Sequence, residues 1–141
     1  MLHRGKRVLE FWDRSKELNV KNKKYINFAS KLLHILLKND IGAEDITSKS
    51  LINGNKNISA SIIAKEGGIF AGLQEFKLMN NDLNIQALKK DGENIKAGQI
   101  LIKISGSAIK ILERERTYLN LLQRMSGIAT LTNSLSKELK N

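Results

Sequence analysis

A run of alternating charges, Glu113-Arg114-Glu115-Arg116-Thr117, lies inside a stretch whose apolar residues recur with the period of an α-helix. At about 100° per residue, Glu115 falls near the middle of the predicted apolar stripe and Arg116 near its edge. A charged side chain on a buried stripe must be paired or functional, because burial of a lone charge is costly. Two interpretations stay open. Glu113 pairs with Arg116 one turn away, or the planar guanidinium of Arg116 binds a carboxylate or phosphate.

Downstream, Ser126-Gly127-Ile128-Ala129-Thr130 places small residues and a glycine inside the same helical pattern. Glycine lowers helix stability by about 1 kcal/mol relative to alanine, so close approach of another backbone or of a ligand is one explanation. Simple packing of the helix against a neighbour is the interpretation that these residues favour by themselves.

Other chemistry-bearing patterns are absent from the sequence. His3 and His34 have no acid or nucleophile nearby, and no metal-ligand spacing, P-loop or dinucleotide fingerprint occurs. We therefore predict no catalytic residue, no cofactor ligand and no metal ligand within this chain.

The composition limits the class of protein. The 141 residues include 24 Lys+Arg, 14 Asp+Glu and no Cys, which excludes a disulfide scaffold and suits a reducing cytoplasm. No apolar run reaches the length of a membrane span and no secretory signal is present, so we predict a cytoplasmic protein without a membrane partner.

The positive charge is concentrated at the amino terminus. Residues 1–24 hold eight basic and three acidic residues, which gives +5 of the net charge of +10. They lack an aromatic stacking platform, so we interpret them as a solvated basic extension and do not expect nucleic acid as a partner.

The hydrophobic pattern predicts three helical stretches. Residues 4–18 are predicted to form a short amphipathic helix, and 19–24 a linker. A second helix runs from Tyr25 to a stop at residues 39–42, and a third starts at Ser107. The predicted apolar positions are, for the first helix, Val8, Leu9, Phe11, Trp12 and Leu18; for the second, Tyr25, Phe28, Ala29, Leu32, Leu33 and Leu36; and for the third, Ala108, Ile111, Leu112, Leu119 and Leu122, with Ser126 and Thr130 continuing its line.

Between those helices the period changes to two, which is typical of strands. The pattern predicts a strand over 58–64, a hairpin at Gly67-Gly68, a short helix with Leu73, Phe76 and Leu78, and a strand over 83–87. A turn at Asp91-Gly92 precedes a last strand with Ile100, Ile102 and Ile104 on one face. The order of elements predicts an α+β fold with an antiparallel sheet.

Four segments of the chain, in order, resemble one family. The stretch from Glu115 to Thr132 resembles the hallmark helix of quinolinate phosphoribosyltransferase, also called carboxylating nicotinate-nucleotide pyrophosphorylase. The other three segments are Asp40-Ile41-Gly42 with Asp45-Ile46-Thr47, similar to its early loop; Ala64 to Gly72, similar to its first hairpin; and Lys90-Asp91-Gly92-Glu93 with Gly98-Gln99-Ile100-Leu101 and Gly106, similar to its hammerhead turn.

The resemblance implies an α/β-hammerhead amino-terminal domain over 25–112, after the basic extension 1–24, and the start of an α/β barrel over 113–141. It implies a reaction of quinolinate with phosphoribosyl pyrophosphate that yields nicotinate mononucleotide, pyrophosphate and carbon dioxide, with Mg²⁺ assisting at the phosphates. It assigns Arg116 to a carboxylate of quinolinate in the site of a neighbouring subunit, which implies a homodimer or a higher oligomer.

The sequence departs from the family pattern in two places. Ala43-Glu44 stands where a glycine is common, and the chain stops at Asn141, before the Thr-Arg-Lys-Thr strand and the later residues that hold both substrates. We therefore expect this chain alone to be catalytically incompetent.

Three alternatives stay open at this point. One is a paralogue of the same fold from molybdenum-transport operons. Another is a carrier module, since Asp91-Gly92-Glu93 and Gly98-Gln99 also resemble the turn of biotinyl and lipoyl domains, although no modifiable lysine stands out. The last is a basic interaction protein that uses residues 1–24.

Overall fold

The computed structural model describes residues 17–41 and 56–139, leaving aside the side chain of Ile41. Within these two ranges, three helices and five strands form an α+β fold with antiparallel sheets, as predicted. In chain order they are α1 (Lys23–Ile41), β1 (Asn57–Ile63), β2 (Gly68–Ile69), α2 (Leu73–Met79), β3 (Asn84–Ala87), β4 (Asn94–Ile95), β5 (Ile100–Ser107) and α3 (Ala108–Glu138).

The strands form two antiparallel sheets, one of three strands in the order β1-β5-β3 and one that joins β2 to β4. The predicted hairpin at Gly67-Gly68 is therefore wrong. The long alternating strand β5 pairs along the whole of β1, and only Gly68 and Ile69 remain to pair, with Ile95 and Asn94. Two consecutive glycines indicate a local turn, but they do not determine which strand pairs with β1. That partner is β5, because its longer apolar pattern matches the buried face of β1.

A β-bulge interrupts the alternation of β5. Ile62 lies opposite Ile102 and Ile63 opposite Ile100, so Leu101 is the extra residue. Leu101 and Ile102 are both buried, whereas Ile100 is 37% exposed. The prediction that Ile100 shares a face with Ile102 and Ile104 is wrong for Ile100, because the bulge reverses the side on which it lies.

Helix α1 begins after Asn22, whose side-chain oxygen accepts a hydrogen bond from the Lys24 amide at 2.9 Å and so caps the helix. Its end at Ile41 agrees with the predicted stop. The side that faces the core is narrower than predicted: Ala29 and Leu33 are buried, but Phe28, Leu32 and Leu36 are exposed.

Helix α3 buries Ala108, Ile111 and Leu122 as predicted, but the buried side is narrower than the predicted stripe. Leu112 and Leu119 are 41% and 39% exposed, whereas Tyr118 and Leu122 are buried. The core packs on the side that Ile111, Tyr118 and Leu122 share, about 100° around the helix from Leu112. Glu115 lies only about 40° from Ile111 by the same count, on the side that the prediction gave it, but its side chain is exposed, so no charge is buried there.

One hydrophobic core joins α3 and α2 to the inner face of the sheet. Its fully buried members with the largest side chains are Phe70, Phe76, Ile102, Ile104 and Ile111. Helix α3 runs without a break from 108 to 138, and no helix in the described ranges is long and apolar enough to cross a membrane. The helix predicted over 4–18 lies outside the described residues except for Glu17 and Leu18, which are not helical, and Leu18 is exposed.

Candidate functional site

Arg116 projects from the exposed side of α3, between exposed Glu115 and buried Thr117. Within residues 17–41 and 56–139, no hydrogen bond or ion pair reaches its guanidinium, so the first of the two interpretations, a pair with Glu113, is not found there. A guanidinium in this state offers all five N–H donors to an incoming anion.

Thr117, the next residue, is buried and ties α3 to the end of α1. Its hydroxyl donates a hydrogen bond to Oδ2 of Asp40 at 2.7 Å, and only 3% of the residue is exposed. Asp40 belongs to the early-loop segment noted in the sequence, so this bond joins two of the family-like segments. The burial of Thr117 was not predicted, because a threonine at this position carries no signal of a partner 77 positions away.

Tyr118, about 100° further around the helix than Thr117, packs against α2. Its ring meets that of Phe76 edge to face, with centroids 5.2 Å apart and an interplanar angle of 77°. Burial, with a smaller contribution from the charge of Glu115, raises the pKa of Tyr118 to about 12. Because Thr117 and Tyr118 both lie against other elements, Arg116 is held toward solvent.

Arg114 anchors the same turn of α3 to the loop after α2. Its guanidinium donates to both carboxylate oxygens of Asp82, at 2.6 and 3.1 Å, and to the carbonyl oxygen of Met79 at 3.1 Å. Nζ of Lys110 lies 2.9 Å from Oδ2 of the same carboxylate. The hydrogen bonds from Arg114, then those from Lys110, hold the pKa of Asp82 well below its usual range, although burial opposes them. Sequence reasoning missed Arg114, because its partner lies 32 residues away and no local spacing points to it.

Two hydroxyl side chains further along α3 bind the free edge of β2. Oγ1 of Thr130 accepts a hydrogen bond from the Ile69 amide at 2.8 Å, and Oγ of Ser126 accepts one from the Ala71 amide at 3.0 Å. A Cβ added to Gly68 would lie 2.6 Å from Oγ1 of Thr130, so the strand and the helix are as close as a glycine permits. Packing therefore explains Ser126 and Thr130. No atom of another described element lies within 4 Å of the Cβ position of Gly127, so the alternative of a close approach at this glycine is not found in the described part.

The remaining family-like segments meet around β2. The Ala64 amide donates to the Gln99 carbonyl at 2.9 Å, and the Phe70 amide donates to the Glu93 carbonyl at 2.9 Å. Oδ1 of Asp91 accepts the amide hydrogen of Leu73 at 2.9 Å, at the start of α2. Segments that are separate in sequence thus form one continuous contact region that supports α3.

A comparison with protein families matches residues 45–126 to the quinolinate phosphoribosyl transferase N-terminal domain. The chain belongs to this family. Among its relatives, a probable carboxylating nicotinate-nucleotide pyrophosphorylase of Methanothermobacter thermautotrophicus is 37% identical over 106 residues, which cover 74% of this chain and 38% of the relative. The Bacillus subtilis protein with the same name is 43% identical over 108 residues, which cover 72% of this chain and 36% of the relative.

The solved structures agree with this assignment. NadC from Streptococcus pyogenes superposes with a TM-score of 0.72 at 31% identity, over 79% of this chain and 42% of that one. The described quinolinate phosphoribosyl transferase N-terminal domain therefore has the fold of its relatives, and the chain spans about two fifths of their length.

The described residues of this domain do not provide a metal centre. No group of three or more His, Cys, Asp or Glu side chains converges there in a way that could hold a metal ion. This part of the chain therefore offers no complete ligand set for the Mg²⁺ that the family resemblance implies.

Proposed function

We propose that this chain forms the amino-terminal part of an enzyme that converts quinolinate and phosphoribosyl pyrophosphate to nicotinate mononucleotide, pyrophosphate and carbon dioxide. The observation that carries the proposal is that Arg116 is exposed and unpaired among the described residues. Its guanidinium is exposed and has no partner among the described residues, on a helix turn that Thr117 and Tyr118 hold in place. The name of the matching family model supports quinolinate as the substrate, and the names of the relatives support nicotinate mononucleotide as the product, in preference to the chemistry of the molybdenum-operon paralogue.

The role of Arg116 follows from the chemistry of a dicarboxylate. A carboxylate accepts two parallel N–H donors from one guanidinium, which fixes its orientation as well as its position. Because α3 is anchored at Thr117 and Tyr118, little ordering of the backbone is required when the substrate binds.

The site that Arg116 serves belongs to a neighbouring copy of the chain in this proposal. Arg116 lies on the exposed side of α3, away from the domain's own core, and the same helix exposes Leu119, Ile128 and Leu131. A homodimer would bring that side of α3 against a second subunit.

In the same proposal, Mg²⁺ binds the phosphates of phosphoribosyl pyrophosphate and is held by residues other than those described. The absence of Cys supports a cytoplasmic location.

A chimera tests the proposal directly. Residues 25–132 of this chain replace the corresponding segment of the Bacillus subtilis relative, and formation of nicotinate mononucleotide is measured against both substrates. We expect activity, and we expect Arg116→Lys to raise the KM for quinolinate about tenfold, since lysine keeps the charge but loses the second parallel bond. The KM for phosphoribosyl pyrophosphate should stay within about twofold.

The matched control is Arg124→Lys, an exposed arginine two turns further along α3. It should leave both KM values unchanged. Equal and small effects of Arg116→Lys on the two substrates would remove Arg116 from the quinolinate site. A folded chimera that forms no nicotinate mononucleotide would count against the proposed activity itself.

A further inference from the structure

Helix α1 carries a second apolar surface, on a side that the core does not cover. Phe28, Leu32 and Ile35 are 66%, 46% and 54% exposed, and we call these three residues the outer stripe. At about 100° per residue they lie within about 60° of one another, and about 110° around the helix from the buried pair Ala29 and Leu33. Large apolar side chains aligned in this way indicate a surface that a partner covers.

Three lysines run along one flank of the outer stripe. Lys24, Lys31 and Lys38, which we call the lysine row, are exposed and spaced by seven residues, so neighbours lie about 10.5 Å apart along the axis. Within residues 17–41 and 56–139, no ion pair reaches their ammonium groups. Lys24 lies in the first turn of α1, where a positive charge opposes the helix dipole. The stability of α1 therefore does not explain the row.

The stripe and the lysine row together have the pattern of a helix that packs against another helix. With Phe28 at position d of a heptad, Leu32 falls at a and Ile35 at d. The same assignment places all three members of the lysine row at g. Side chains at a and d form the apolar contact in such packing, and those at g meet charged side chains of the partner. A row of cations at g therefore favours a partner with carboxylates at the facing positions.

A second copy of the chain does not supply those carboxylates. In an antiparallel pair of α1 helices the g positions face each other, so the two lysine rows repel. In a parallel pair g faces e, and the e positions are Ala29 and Leu36. The chain's own residues 1–16 hold five basic and two acidic residues, so their net charge has the same sign as the row.

A lipid surface matches the stripe less well than a helix does. An interfacial helix needs no heptad spacing of its cations, which is the spacing that the lysine row has. On the opposite flank of the stripe, the Tyr25 hydroxyl donates a hydrogen bond to Glu75 of α2. A carboxylate and a second helix therefore lie where an anionic membrane would have to approach.

We propose that the outer stripe is the docking site for an amphipathic helix of another protein, which has apolar residues along one side and Asp or Glu facing the lysine row. From Lys24 to Lys38 the contact is about 21 Å long, which corresponds to about 14 residues of the partner helix. The proposal does not depend on the role of Arg116, because the outer stripe lies on α1 and Arg116 on α3.

A designed acidic peptide is the probe. It has three heptads with Leu at a and d and Glu at e and g, so that at neutral pH its own charges prevent self-pairing. Fluorescence anisotropy of the labelled peptide is measured against the full chain. We expect one-to-one binding with a Kd of about 1–100 μM. A basic peptide, with Lys in place of every Glu, should bind at least about tenfold more weakly.

A substitution in the outer stripe locates the peptide on α1. Ile35→Asp should abolish binding of the acidic peptide, because it places a charge in the apolar contact and next to the peptide's own carboxylates. The matched control is Leu88→Asp, at a residue 45% exposed and outside α1, which should leave the Kd unchanged. Circular dichroism checks that both variants are folded.

Reversal of the charges tests the role of the lysine row. A chain with Lys24→Glu, Lys31→Glu and Lys38→Glu should lose the acidic peptide and bind the basic one instead. Lys103→Glu, at an exposed residue of β5, should leave the preference for the acidic peptide intact. A triple variant that binds both peptides as the unchanged chain does would remove the lysine row from the site.

Other occupants of the stripe give different results. A folded chain that does not bind the acidic peptide would overturn the proposal. Binding to anionic phospholipid vesicles in place of the peptide, lost in Ile35→Asp, would assign the stripe to a membrane, and self-association lost in that variant would assign it to a second copy. The chimera with the Bacillus subtilis relative, which carries the whole stripe, should still bind the peptide. Loss of binding there would assign the stripe to the rest of the enzyme.

Discussion

Thr117 and Asp40 form a hydrogen bond of 2.7 Å that joins α3 to the last turn of α1. The bond lies beside Arg116, and Asp40 precedes the early-loop residues that follow α1 in the sequence. Because the hydroxyl is buried and the carboxylate is at the surface, the bond is the point at which the exposed turn of α3 is fixed to the rest of the domain.

Removal of this bond should cost a measurable part of the stability. We expect Thr117→Val to lower the free energy of unfolding by about 1 kcal/mol, because the hydroxyl that donates to the Asp40 carboxylate is replaced by a methyl group while the volume of the side chain is kept. Urea denaturation measures the change. Combined with Asp40→Ala in a double-mutant cycle, the two substitutions should be less than additive. Asp40→Asn is the control and should have little effect, since it retains an acceptor oxygen. Strict additivity would show that the bond does not couple the two helices.

The Asp82 carboxylate should make stability depend on pH in the acid range. Its pKa in the folded chain is lowered, chiefly by the hydrogen bonds from Arg114, so it stabilises the fold above the unfolded-state pKa of about 4. The contribution is lost as the pH falls below that value. The side chain is a third exposed, so solvent screening limits the effect to about 1 kcal/mol.

Urea denaturation at a series of pH values between 3 and 7, chosen to bracket the unfolded-state pKa of about 4, measures this contribution. Asp82→Asn should remove the corresponding part of the pH dependence, and Glu138→Gln, at an exposed residue near the end of α3, should not. A pH profile that is identical in wild type and Asp82→Asn would contradict the role of the pair.

Much of the fold was predictable from the sequence because local periodicity is enough to locate α1, α2, β1, β3 and the long helix. Strand pairing was less predictable, because the residues of β1 and β5 that pair are more than 30 positions apart in the sequence. The bulge at Leu101, which turns Ile100 to the other face of the sheet, has no signal in the sequence either. The width of the buried side of α3 also escaped prediction, since the exposed Leu112 and Leu119 are as apolar as the buried Ile111 and Leu122. Arg116 was identifiable from a motif, whereas Arg114 and Thr117 depend on partners that only the folded chain brings close.

Substitution of alanine for Gly72 and for Gly127 should change the free energy of unfolding in opposite directions. Gly72 has a φ of +103°, and a Cβ there would lie 3.0 Å from Sδ of Met125. We expect Gly72→Ala to lower the free energy of unfolding by about 1–2 kcal/mol. Gly127 lies within α3 with no described atom near its Cβ position, so Gly127→Ala should raise it by about 0.5–1 kcal/mol. Thermal unfolding of the two variants measures both. A loss of stability in Gly127→Ala would indicate a close contact at that position that the described residues do not provide.

The two tyrosines of the chain should both resist ionisation. Burial, and then the hydrogen bond that the Tyr25 hydroxyl donates to Glu75, raises the pKa of Tyr25 to about 12. Burial likewise raises the pKa of Tyr118 to about 12. The folded chain therefore holds both protons more tightly than the unfolded chain, in which the tyrosine pKa is about 10. These groups stabilise the fold fully below about pH 10, and the stabilisation is lost as the pH rises toward 12.

The absorbance of tyrosinate measures this. At a pH of about 10.5 it should show little ionisation in the folded chain, and ionisation of most of the tyrosine in denaturant. Tyr25→Phe should halve the total amplitude and leave the remaining transition, that of Tyr118, still displaced to high pH. A transition centred near pH 10 in the folded protein would contradict the burial of these rings.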